Sequence, residues 1–121
     1  MIEAKLFREQ GILVVAPSGE LTSTDFEQLR RLVDPYIEKR GSLNGLLIDA
    51  EAFPRWEEFS NMLSQLRFVG DYESKIARVA AVTDSDFLAI LPKVADYFIG
   101  AEVRHFAYQD RDTALAWLQH G

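Results

Sequence analysis

Residues 76–84 read IARVAAVTD, and this stretch decides the fold. Every position from 76 to 82 is apolar except Arg78. A strand with one face in water alternates apolar and polar residues, so an unbroken run of this length predicts an interior strand covered on both faces in a parallel sheet. Residues 46–49, LLID, repeat the same shape: a short apolar strand with a polar end. Between the two runs, Trp56, Phe59, Met62, Leu63 and Leu66 recur at helical spacing, with Pro54 at a first helical position. Beyond Asp84 a third helix over residues 87–99 carries Phe87, Leu88, Ile90, Leu91, Val94, Ala95, Tyr97, Phe98 and Ile99 and is predicted to end at Gly100, with a kink at Pro92. Its apolar arc is wider than one contact face needs. Residues 103–108 predict a last strand, and Asp112 is expected to cap a short helix holding Leu115, Trp117 and Leu118.

Upstream, Ile2, Ala4 and Leu6 alternate with polar neighbours, residues 8–11 form a polar turn, and residues 12–16 are an apolar run stopped by Pro17. That pair predicts an antiparallel hairpin. From Thr24 the period becomes helical, with Phe26, Leu29, Leu32, Val33, Tyr36 and Ile37 on one face, a capping box from Thr24 and Glu27, and a stop at Gly41. Pro35 is expected to bend this helix or split it in two. The order β, β, α, β, α, β, α, β, α predicts an α/β fold whose mixed sheet is mainly parallel, with an antiparallel edge pair. At 121 residues, with only short gaps between patterned segments, the expectation is a single domain over residues 1–121.

Composition narrows the function. Thirteen basic against nineteen acidic residues give a charge of −6, which disfavours nucleic acid as a partner, because phosphate-backbone binding draws on clustered Lys and Arg. Without cysteine there are no disulfides, thiolate metal sites or cysteine nucleophiles. The start, MIEAKLFREQG, does not resemble a signal peptide, and no apolar run approaches the roughly 20 residues that cross a bilayer. A soluble, cytoplasmic protein is expected.

Chemistry is scarce. Asp49 and Asp84 each follow an apolar strand, at the carboxyl edge where open α/β sheets place ligands, and two carboxylates there could hold Mg²⁺. The plainer reading has Asp84 or Ser85 capping the third helix and Asp49 bonding local backbone amides in a turn. Of the two histidines, His105 lies in an alternating strand and reads as structural, while His120 sits next to the chain end. A Gly-rich phosphate cradle, a nucleophile elbow and a paired-His metal motif are all missing from the sequence, so no enzymatic activity, cofactor or metal is expected. The apolar residues are more informative. The second helix either covers the spare face of the third, completing a core or a dimer contact, or the two form a lid over an apolar groove.

Three stretches carry a family likeness: GELTSTDFEQL at 19–29, LLID at 46–49, and ARVAAVTD followed by ADYFIG and AEVRHFAYQDRDTALAWL toward the chain end. Together they resemble the SpoIIAA-like bacterial proteins of the STAS/CRAL-TRIO group. The resemblance implies a STAS-like sheet with helices mostly on one face. It also implies two kinds of activity. STAS antagonists of anti-sigma factors carry a phosphorylatable Ser or Thr at the start of the helix after the strand that corresponds to residues 46–49. Here residues 50–59 contain neither, which leaves a phosphate switch at that helix without an acceptor. CRAL-TRIO domains enclose an apolar ligand beneath a helical gate. The expected function is therefore a non-enzymatic binding module that holds a lipid, fatty acid or other apolar ligand, or touches the inner face of the membrane peripherally. Trp56, Phe59 and Leu63 on one helix and Phe87, Leu88 and Leu91 on the other would make the contact. The alternative is a STAS-type regulator that binds a protein partner, or a second copy of itself as a homodimer, without a phosphoacceptor.

Overall fold

The computed structural model describes residues 1–53, 55–64, 76–98 and 100–120, with the backbone alone described at 62–64. Five strands, β1 (Ile2–Phe7), β2 (Ile12–Pro17), β3 (Leu43–Asp49), β4 (Ile76–Val82) and β5 (Glu102–Phe106), lie in the sheet in sequence order. β1 pairs antiparallel with β2, and every later neighbour is parallel. The hairpin puts Ile2 opposite Pro17 and Phe7 opposite Ile12. The helices are α1 (Ser23–Arg40), α2 (Trp56–Ser64), α3 (Leu91–Tyr97) and α4 (Arg111–Gln119), with a 3₁₀ turn, Ser85–Ala89, ahead of α3. The expected α/β fold, with its antiparallel edge pair, is what the chain adopts.

A sheet built in sequence order advances in one direction. Crossovers of one hand then place every connecting helix on the same face. Leu29, Val33 and Ile37 of α1, Phe59 of α2, Phe87 of the 3₁₀ turn and Val94 of α3 accordingly share one core with Leu13, Val15, Leu46, Ile48, Val79 and Ala81 of the sheet. α4 follows the last strand and is free of that constraint. It packs Ala114 and Leu118 on the other face, over Ile12, Val14, Leu47, Ala80 and Val82. β4 is thus covered on both sides, as its unbroken apolar run predicts. The interruption at Arg78 is accommodated by α4: Nη1 donates to the Trp117 carbonyl at 2.7 Å, and the guanidinium lies 4.9 Å from the indole centroid.

Gly45 marks where α4 comes closest to the sheet. A Cβ there would stand 2.8 Å from Leu118 Cδ2, so only glycine lets the helix settle at this depth.

Several local expectations change. The capping box of α1 is built by Thr22 and Asp25, each two residues before the expected Thr24 and Glu27. Asp25 wins because its carboxylate also accepts from Ile2 N at 3.1 Å, tying β1 to the helix start through a bond no local pattern reveals. Pro35 does not split α1, which runs 18 residues to Gly41 at φ 85°. The proline and Arg31, four residues before it, are both exposed, so the carbonyl that loses its amide faces water. The third helix is not continuous. A 3₁₀ turn ends at Ile90, α3 restarts with Pro92 in its first turn, and it stops at Tyr97 rather than Gly100. Proline lacks the amide that would continue the earlier turn but suits a first turn, so it starts a new helix here. α4 begins at Arg111, and Asp112 lies in its first turn rather than capping it. Pro54, Leu66 and Ile99 lie outside the described residues.

Candidate functional site

Loops leaving β3 and β4 meet at the carboxyl edge of the sheet, on the face covered by α1, α2 and α3. Two backbone bonds hold them together: Ala50 N donates to Val82 O at 3.1 Å and Asp84 N to Glu51 O at 3.3 Å. Above these bonds lies a cleft of about 230 Å³, walled by Phe53, Arg55 and Trp56 on one side and by Asp84, Asp86, Phe87 and Ile90 on the other. Its floor is aromatic. The Phe53 ring sits 4.8 Å from Phe87 and 5.7 Å edge-on from Phe59. Trp56, at the first turn of α2, is held edge-on against Tyr97 at 5.5 Å and tilted against Phe59 at 6.3 Å. Packing on that side fixes the indole and leaves it presented to the cleft.

His105 supports the floor from β5. Its ring stacks on Phe87 at 5.7 Å, and Nε2 lies 3.0 Å from Thr83 O and 3.1 Å from Asp84 O. Carbonyl oxygens only accept, so this nitrogen must carry the hydrogen and share it between them. Its Nε2 is thereby committed to the backbone at the end of β4. Thr83 is fully buried, and among the described residues its hydroxyl has no hydrogen-bond partner.

The two carboxylates that follow strands do not converge. Asp49 shares the α4 face with Leu47 and pairs with Arg111 Nε at 3.2 Å rather than with a local turn. Asp84 Oδ1 accepts from Asp86 N at 3.2 Å, capping the 3₁₀ turn as expected of a residue in that place. Among the described residues no three acidic or imidazole groups gather as metal ligands would.

The residues proposed from sequence for ligand contact separate by exposure. Phe59 and Phe87 are core residues, 0% and 1% exposed, and of the two Phe87 alone lines the cleft. Trp56 and Leu91 are half-buried, each packed against the core along one edge. Leu88, next to Phe87, is 54% exposed. The side chain of Leu63 lies outside the described residues. Phe53, Arg55, Asp86 and Ile90 belong to the cleft and were not among the expected contacts. Phe53 stands three residues before Trp56, in a loop where helical periodicity gives no signal.

Among the described residues no cationic group pairs with Glu51, Asp84 or Asp86. Arg55 turns instead to Glu57, 3.9 Å away, with its side chain 78% exposed.

A structure similar to this one throughout is the crystal structure of an uncharacterized protein from the DUF3478 family with a SpoIIAA-like fold, from Shewanella loihica PV-4. It is 24% identical, aligns over 97% of this chain and 93% of that one, and superposes with a TM-score of 0.65. Comparison with curated proteins gives no match. Neither the matched structure nor the matched family carries a CRAL-TRIO description. The family profile described as SpoIIAA-like matches residues 12–119, from the start of β2 to the end of α4, and the chain belongs to that family.

Proposed function

We propose that this chain is a non-enzymatic, cytoplasmic binding module of the STAS type. Its partner is a protein, engaged at the carboxyl-edge cleft and the adjoining Leu88 without a phosphoacceptor in the β3–α2 loop. The carrying observation is the exposure of Leu88, the residue that follows Phe87 of the cleft wall in the 3₁₀ turn. Phe59 and Phe87 are committed to the core, which leaves Leu88, Trp56 and Leu91 as the apolar surface a partner can cover. Burying Leu88 alone would contribute about 1.5–3 kcal/mol. The SpoIIAA-like fold supports this reading, since the family resemblance includes partner-binding regulators.

The second reading is the apolar ligand or membrane contact drawn from the CRAL-TRIO side of that resemblance, and the presentation of Trp56 to the cleft favours it. Glu51, Asp84 and Asp86, without an ion pair among the described residues, weigh against docking on an anionic bilayer. No helix among the described residues is long and apolar enough to cross a membrane.

Capture from the producing cells, with organic extraction of the same sample, separates the two. The wild-type chain is expected to recover one protein at a fixed ratio, Leu88→Asp to lose it, and the extract to hold no stoichiometric lipid. A stoichiometric lipid that is absent from Leu88→Asp would replace the first reading with the second.

A further inference from the structure

We infer that the cleft is a receptor for a single cationic side chain, an arginine of the protein partner. This rests on the partner-binding reading above and names the chemistry by which the partner is recognised. Three features converge. The walls include the aromatic rings of Phe53 and of Trp56, the latter packed against Tyr97 and Phe59. The rim offers Asp84 and Asp86, both lining the cleft and, among the described residues, without a cation. Arg55 also lines the cleft, but its side chain is 78% exposed and its guanidinium pairs with Glu57 at 3.9 Å rather than with Asp84 or Asp86.

A flat guanidinium suits this combination. It stacks on aromatic faces through its plane while its N–H fork reaches carboxylates at the edge, and it is weakly hydrated enough to enter a small cleft. Lysine would present a compact, strongly hydrated charge that uses the rings less well. Charge complementarity also excludes an acidic peptide, which would meet Glu51, Asp84 and Asp86 with like charge.

The test uses the full chain, isotopically labelled, titrated with N-acetyl-arginine amide and with its neutral isostere, N-acetyl-citrulline amide, and followed by NMR. The arginine probe is expected to move the Trp56 indole N–H and the Asp86 and Phe87 amides, and to leave the Trp117 indole on the opposite face of the sheet unmoved. Citrulline should bind about tenfold more weakly, as should the arginine probe to the double variant Asp84→Asn, Asp86→Asn. Asparagine caps as well as aspartate, so this variant keeps the 3₁₀ turn. Equal shifts from citrulline, no response, or shifts elsewhere in the sheet would each overturn the inference. Partner capture distinguishes its failure from that of the interaction reading. Loss with Leu88→Asp but not with the double variant would remove the arginine and leave the interaction, whereas capture indifferent to both variants would remove the interaction itself.

Discussion

Asp25 joins three parts of the molecule through one carboxylate. Oδ2 accepts from Thr22 N at 2.8 Å and from Thr22 Oγ1 at 3.1 Å, and Oδ1 accepts from Ile2 N at 3.1 Å. The Thr22 backbone bond, more than any other contact, holds its pKa below the ordinary value of 3.8, against the opposing effect of burial. A depressed folded pKa contributes stability that is complete above the unfolded carboxylate range and is lost as pH falls through the folded value. Asp25→Ala is therefore expected to destabilise by about 1–3 kcal/mol at pH 7, because a cap is removed and a buried amide loses its acceptor. Urea unfolding should show the gap between wild type and variant narrowing below about pH 4. A gap independent of pH would assign the loss to packing instead. Gly45 gives a second residue-scale outcome. Gly45→Ala forces its Cβ onto Leu118 and should lower stability by about 1–3 kcal/mol, partly restored by Leu118→Ala in the same chain. Thermal unfolding of the single and double variants measures that coupling.

Adjacent positions in the 3₁₀ turn have opposite roles, and this is a matter of the element rather than of residue type. Phe87 points into the core at 1% exposure and Leu88 stands 54% exposed. Phe87→Asp buries an unpaired charge and is expected to unfold the chain, while Leu88→Asp should change stability by no more than about 0.5 kcal/mol. Circular dichroism of the two variants decides this, and it makes Leu88 the clean surface probe. The broken helix also explains why the apolar arc read over residues 87–99 is so wide. A single helical wheel drawn across Ile90 superimposes two short elements with different axes and counts buried faces of both as one surface. The pattern of apolar positions was legible there, but the break was not, because Pro92 serves equally as a kink or as a start. The 76–82 run was read correctly because residues 79–82 are buried beneath elements on both faces, while the less covered start of the strand tolerates Arg78. The Thr22–Asp25 cap escaped local reading because its decisive partner, Ile2, is distant in sequence.

At the scale of the whole molecule, the sheet has two unequal coverings. Among the described residues, three helices and the 3₁₀ turn serve one face, and α4 covers the other over Ile12, Val14, Leu47, Ala80 and Val82. A chain ended after Asp110 would expose that second apolar face and is expected to bind a hydrophobic dye and aggregate, which light scattering would record. The cleft belongs to the better-covered face, at the edge where parallel strands end, and its position follows from topology. Its edge location was therefore legible in sequence through Asp49 and Asp84, although only Asp84 lines it. The aromatic floor was not, because Phe53 lies in a loop and His105 arrives from another strand. If the chain works as proposed, the occupant of the cleft is a protein and not a lipid. Native mass spectrometry of the chain isolated intact from its producing cells tests this most directly. The prediction is a complex of fixed protein ratio that is absent from the Leu88→Asp variant. A wild-type chain carrying a bound lipid mass, also lost in that variant, would contradict it.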